Sequence, residues 1–246
     1  MTNQRKDRVW QSASIAAKYL QGTRAAVPLA AEQIDVMLRV LAHSGKRIHR
    51  LLDLGCGDGI LTQAVLDQYS QAEATLLDFS EPMIEAARER LGEQVRHRFI
   101  VADYAEPAWL TTVADRAPFD AIVSGYSIHH QPDARKQALY AELFDLLSPG
   151  GFFINIEHVG SPTPWVESLW DHAFIDSLYE RGFRRDEFPT REALLEAHLS
   201  SDERAANLTT LVETQCVWLR QIGFTDVDCY FKIFELAVFG GRRPAG

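Results

Sequence analysis

The residues of this chain best suited to moving a proton are two adjacent histidines, His129 and His130, with Tyr126 just ahead of them and Glu157 further on. Imidazole titrates near neutral pH, so either histidine can take a proton from a hydroxyl or ammonium group; Tyr126 and Glu157 are secondary candidates. The structural role open to the same pair is to cap the helix that follows or to pack beneath a covering segment. A second chemistry-bearing group lies earlier, in Asp53-Leu54-Gly55-Cys56-Gly57-Asp58-Gly59, followed by Asp78-Phe79 and later by Asp103-Tyr104. Alternating glycines let the backbone approach a ligand closely and adopt φ values closed to other residues. The acidic residues around them suit a ligand carrying positive charge or hydroxyls. His129, His130, Asp133 and Glu157 have no spacing that compels a metal site. Cys56 reads as a small packing residue rather than a nucleophile.

These residues need elements to hold them. The apolar run Leu51 to Leu54 reads as a strand entering the glycine loop, and Leu61, Ala64, Val65 and Tyr69 fall on one face of a helix leaving it. Strand, glycine loop, helix is how α/β folds hold a nucleotide-like ligand at the carboxyl edge of a parallel sheet. Spacing narrows the ligand. The dinucleotide pattern G-x-G-x-x-G needs its third glycine where this chain has Ile60; here it falls at Gly59. A P-loop needs Gly-Lys-Ser/Thr, and this loop has no lysine. Asp58 would repel a phosphate.

D-x-G-x-G-x-G followed by a helix resembles motif I of the class I S-adenosylmethionine (SAM)-dependent methyltransferases, whose cofactor carries an ammonium and a sulfonium. Other stretches are similar to the same family. Asp78 ends a second strand (Ala74 to Asp78) at the distance where an acid accepts ribose hydroxyls. Asp103 follows a third strand (Arg98 to Ala102), and L-x-P-G-G precedes the apolar strand Phe152 to Ile156. The resemblance implies SAM as cofactor and S-adenosylhomocysteine (SAH) as product. It implies cofactor contacts from Asp53, Gly55, Cys56, Gly57 and Asp58, ribose on Asp78 beside Phe79, and adenine against Met83. The adenine amino group would go to Asp103, next to Tyr104, and the sulfonium end near Ser124, Gly125 and Tyr126, after a fourth strand (Phe119 to Ser124). Residues Val9 to His43 read as two helices. In this family such a leading segment usually folds over the cofactor, which puts Tyr19 and Arg24 within its reach.

Between Ser161 and Arg204 the pattern departs from a minimal fold. Trp165, Leu169, Trp170, Phe174, Leu178 and Tyr179 recur at helical spacing ahead of Arg181, Arg184 and Arg185. An insertion here is the natural place for a substrate lid, its aromatics packing on the core or on a second copy in a homodimer. A helix over Asn207 to Gln221, ending at Gly223, and two strands, Asp226 to Lys232 and Ile233 to Gly240, complete the chain. This end resembles the carboxy-SAM synthases of tRNA wobble-uridine modification. The resemblance implies an arginine in the last helix for the extra carboxylate; the matching stretch, Glu213 to Leu219, offers Trp218, which favours plain SAM.

The expected fold is α/β: a Rossmann-like, seven-stranded, mostly parallel sheet with an antiparallel C-terminal hairpin, helices on both faces, and a helical lid insertion after strand five. Its expected parts are an N-terminal helical cap (1–45), a SAM-binding core (46–160), the lid (161–204), and the last helix with the closing strands (205–246). A chain of 246 residues with 46% hydrophobic content can bury such a core. A net charge of −9 argues against a broad nucleic-acid footprint. Cys56, Cys216 and Cys229 form no C-x-x-C, so neither a disulfide framework nor a zinc site is indicated. No membrane-length apolar run and no signal peptide is visible, which points to a cytoplasmic protein. The expected function is in-line transfer of a methyl group from SAM to a small, partly apolar acceptor. The cluster Arg181 to Arg185 supports the alternative, an enzyme modifying tRNA or the cofactor itself. A catalytically silent SAM-binding regulatory subunit is the reading of another class.

Overall fold

The computed structural model describes residues 5–18 and 27–246. Seven apolar or alternating runs pair into one sheet: β1 (Arg50–Leu54), β2 (Glu73–Asp78), β3 (His97–Val101), β4 (Phe119–Gly125), β5 (Leu147–His158), β6 (Thr225–Ile233) and β7 (Leu236–Arg242). Their order is β3-β2-β1-β4-β5-β7-β6. Neighbours from β3 to β5 are parallel, and β7 runs antiparallel to both β5 and β6. The chain leaves β1 for β2 on one side and returns to β4 on the other. The order thus reverses beside β1, opening a crevice at the carboxyl ends of β1 and β4.

The helices are α1 (Ala13–Lys18), α2 (Ala30–His43), α3 (Ile60–Gln68), α4 (Glu81–Leu91), α5 (Leu110–Val113), α6 (Asp133–Leu146), α7 (Pro164–Glu180), α8 (Arg191–Leu199), α9 (Asp202–Ala205) and α10 (Val212–Ile222). Residues of β1 and β4 alternate between the two faces, as strand geometry requires. Leu51, Ala121 and Val123 pack with Met37 and Leu41 of α2, Val65 of α3 and Ile84 of α4. Leu52, Leu54 and Ile122 pack on the other face with Leu139 and Leu143 of α6 and Leu219 of α10. A strand buried on both sides carries the continuous apolar run seen at Leu51-Leu52 and Ala121-Ile122-Val123.

The inserted helices α7, α8 and α9 each begin at a hydroxyl cap, where the side chains of Thr163, Thr190 and Ser201 accept a backbone N–H from the first turn. They hold a small cluster of their own around Ile175, Leu178 and Leu194. Two boundaries differ from the periodicity. β5 begins at Leu147, not Phe152, because Pro149 to Gly151 form an irregularity within the strand rather than a loop before it. The last helix begins at Val212, not Asn207. Leu208 N–H donates to the His129 carbonyl, and the Leu208 carbonyl accepts from Lys136 Nζ, so this stretch hydrogen-bonds to the core instead of coiling. Tyr19 and Arg24 lie outside the described residues. Among the described residues no helix is long and apolar enough to cross a membrane.

Candidate active site

The glycine loop leaves β1 by folding back on β2, with Gly55 and Cys56 N–H both donating to the Leu77 carbonyl (2.7 and 3.1 Å). Two of its glycines matter for different reasons. A Cβ on Gly55 would lie 1.9 Å from Ser127 Oγ, so Gly55 is there for packing. Gly57 has φ +52 and nothing within 4 Å of where its Cβ would stand, so its bare backbone faces open space. Asp53 is fully buried, and its Oδ2 accepts from Thr62 N–H and Oγ1 (3.2 and 2.7 Å), pinning the first turn of α3 to the strand end. Asp58 Oδ2 is paired with Arg90 of α4 at 2.5 Å, so its charge is offset within the fold. Cys56 is buried in the apolar cluster beneath the loop, and burial pushes its thiol well above the usual range.

Asp78 ties this loop to the next element. Its Oδ2 accepts from Gly57 N–H and its Oδ1 from Ser80 N–H, both at 2.9 Å. Burial pushes its carboxyl up to about 6, against the pull of these backbone donors. Each oxygen retains a lone pair for a hydroxyl. A carboxylate serving ribose hydroxyls must be ionised, so a carboxyl titrating near 6 should make SAM affinity fall as pH drops below that value. Calorimetry between pH 5 and 8 checks this: Asp78→Asn should weaken binding several-fold at pH 7.5 and flatten the pH dependence.

Residues 5–12 cross the carboxyl ends of β2 and β3. Arg5 donates to Asp103 Oδ2 at 2.6 Å and pairs with Asp7, while its guanidinium lies over the Phe79 ring. Ser80 Oγ donates to the Trp10 carbonyl and Gln11 Nε2 to the Phe79 carbonyl. Met83 is buried in the first turns of α4. Tyr104, Ser124 and Gly125 are committed to the protein's own groups. The Tyr104 hydroxyl meets Ser127 Oγ at 2.5 Å, Ser124 Oγ donates to the Leu54 carbonyl, and Gly125 backs onto Leu61.

Past the ends of β4 and β5 the chain brings His129 onto Glu157. The carboxylate accepts the His129 backbone N–H at 3.0 Å and its Nδ1–H at 2.6 Å, and also accepts from His158 N–H and Asn155 Nδ2. Burial alone would raise the Glu157 carboxyl, but His129 and these hydrogen bonds more than offset it and hold it below the usual range. Burial lowers the His129 imidazole, with Glu157 opposing. The result is a carboxylate–imidazole pair with the proton on Nδ1 and a free Nε2 lone pair. His130 donates Nδ1–H to the Ala206 carbonyl at 3.2 Å and is pushed well below its ordinary range by burial and by His129. The two rings lie 3.9 Å apart, centre to centre. Tyr126 is led elsewhere: its hydroxyl donates to Gln33 Oε1 of α2 at 2.6 Å.

The structure adds residues that the sequence reading passed over. His158 sets its Nε2 against Glu235 at 2.7 Å, and its ring lies beside those of His129 and Trp170. Trp10 lies beside His130. Glu157-His158 at a strand end was a legible signal; Trp10, Gln33 and Glu235 come from distant elements and gave none. Among the described residues, no three His, Cys, Asp or Glu side chains are arranged to hold a metal.

Gly57, Asp78 and Asp103 lie at or just past the carboxyl ends of β1, β2 and β3. Residues 51–151 match a family model described as a methyltransferase domain. A demethylmenaquinone methyltransferase of Clavibacter sepedonicus is 28% identical over 98% of this chain and 82% of its own length. A carboxy-S-adenosyl-L-methionine synthase of Aeromonas salmonicida is 28% identical over 76% of this chain and 71% of its own. A malonyl-[acyl-carrier protein] O-methyltransferase of Ilyobacter polytropus is 31% identical over 46% of this chain, which spans only 40% of that protein. Human N-acetylserotonin methyltransferase, solved with SAM, shares the fold with a TM-score of 0.63 at 14% identity, over 99% of this chain and 60% of that one. Residues 51–151 thus form a methyltransferase domain, on a fold shared with SAM-dependent methyltransferases.

Proposed function

We propose that this protein transfers the methyl group of SAM to a small-molecule acceptor, with His129 as general base. The observation that carries the reading is the buried His129–Glu157 pair, placed at the same carboxyl edge as the glycine loop. SAM supplies a methyl group on a positively charged sulfur. The chain's own residues then do three things. Gly57, Asp78 and Asp103 hold the cofactor's polar groups. The covering segments exclude water. Glu157 fixes the tautomer and orientation of His129, so that its Nε2 can receive the acceptor's proton. Tyr126, tied to Gln33, supports α2 rather than the chemistry.

Other functions have less support. Arg184 pairs with Glu187 and lies over Phe188, and Arg185 lies over Tyr179, so both are engaged by their own segment. That lessens the support this cluster lends to a tRNA substrate. Trp218, where the resemblance to carboxy-SAM synthases would put an arginine, packs against the cluster around Leu219. Native mass spectrometry of the purified protein tests the reading. SAM or SAH carried through purification, and SAH released on incubation with SAM and small acceptors, is the expected result. A nicotinamide cofactor would overturn it, and a carboxylated SAM would move the function to cofactor modification.

A further inference from the structure

Around the histidines the hydrogen-bonding groups are almost all committed, and those left over share one character. His158 has both ring nitrogens engaged, Nε2 with Glu235 and Nδ1 with Asn207 Nδ2 at 3.4 Å. His129 and His130 each give their Nδ1–H away, to a carboxylate and to a carbonyl, and these partners can only accept. Each neutral ring therefore has its remaining nitrogen, Nε2, as an acceptor, and neither Nε2 hydrogen-bonds to a described residue. Lys136 is the cation whose field both rings feel. It is itself buried and spent on Asp133, the Leu208 carbonyl and Thr210 Oγ1. The carboxylates beside the histidines, Glu157 against His129 and Glu235 against His158, are negative. Flat rings flank them, Trp10 next to His130 and Trp170 next to His158, with Phe174 stacked on Trp170 at 5.3 Å.

We propose that the acceptor is an uncharged aromatic molecule whose reacting group is an O–H or N–H, a neutral hydroxyarene being the simplest case, and that carboxylate and phosphate acceptors are excluded. The inference rests on the methyl-transfer reading and specifies its substrate class. Two lone-pair nitrogens with no spare donor recognise a proton-bearing group. An anionic group would find no uncommitted cation beside the histidines among the described residues, would face two acceptors, and would be repelled by Glu157. The aromatic walls suit a planar body. The step balances. The acceptor oxygen forms a bond to the methyl carbon, and the carbon–sulfur pair stays on sulfur as a neutral thioether. The hydroxyl proton goes to His129 Nε2, and the resulting imidazolium is held by Glu157.

The test uses the full chain saturated with SAH and three probes of one shape, titrated by ligand-observed NMR: 2-naphthol, its methyl ether 2-methoxynaphthalene, and 2-naphthoate. SAH binding is measured first by calorimetry, and its failure would overturn the methyl-transfer reading itself. With SAH bound, 2-naphthol should bind about tenfold more tightly than the ether, the worth of one buried hydrogen bond, and more tightly still than the carboxylate. Naphthoate binding as well as naphthol, or naphthol binding no better than its ether, overturns the acceptor class while leaving methyl transfer standing.

Discussion

His129→Ala lowers turnover by about 10²–10⁴-fold, the usual contribution of a positioned base, and leaves SAM affinity within about twofold. The geometry accounts for both halves. His129 is held by Glu157 through two hydrogen bonds, one to its backbone and one to Nδ1, while the glycine loop and Asp78 bond to each other and not to the histidine. Truncation therefore removes a proton acceptor without touching the cofactor cradle. Initial rates of SAH release and calorimetry on the same variant separate the two effects; equal turnover with and without the imidazole would remove His129 from the chemistry.

The pH profile carries the sign. Burial holds His129 below the ordinary imidazole value, and the groups acting on it are Glu157, which raises it, and His158 and Lys136, which lower it. The base works in its neutral form. Activity should rise with pH through a point below 6.5, the ordinary value, and be flat between pH 7 and 8. In Glu157→Gln the largest raising influence is gone, so the inflection moves to lower pH while the plateau falls, because a neutral amide no longer stabilises the imidazolium that forms. A profile that inflects above the ordinary imidazole value would mean that a different group is titrating.

Gly57→Val abolishes SAM binding, with a loss of more than about 100-fold, in a protein that still folds. The backbone here has φ +52, and a valine pays roughly 1–2 kcal/mol to adopt it, a modest loss for a domain of this size. A Cβ there has no protein atom within 4 Å. The damage falls on whatever approaches that backbone from outside. Gly57→Ala should give an intermediate loss of about tenfold. Gly55→Ala is the contrasting control, since its Cβ collides with Ser127 Oγ and should cost stability first. Calorimetry for SAM and thermal melts of the three variants make the comparison. Valine at Gly57 with undiminished affinity would show that the cofactor lies elsewhere.

The parts of this protein that local spacing encodes were legible in its sequence. Strand alternation, the three glycines, the helix after them and the Pro-Gly-Gly break are properties of neighbouring residues, and they located all seven strands and the crevice beside β1. The first inserted helix, α7, followed from the spacing of Trp165 to Tyr179 in the same way. What local spacing does not carry is the partner of a charge. Asp58 meets Arg90 of α4. Asp103 meets Arg5 from far back along the chain, and the Tyr126 hydroxyl donates to Gln33 of α2. His129 and Glu157 were both recognisable as proton-moving groups. Their union into one pair, with the tautomer that leaves Nε2 open, came only when β4 and β5 aligned in parallel and set their carboxyl ends side by side. Backbone preferences act over a few residues and survive in the sequence, whereas electrostatic partnership acts through space and is decided by the fold.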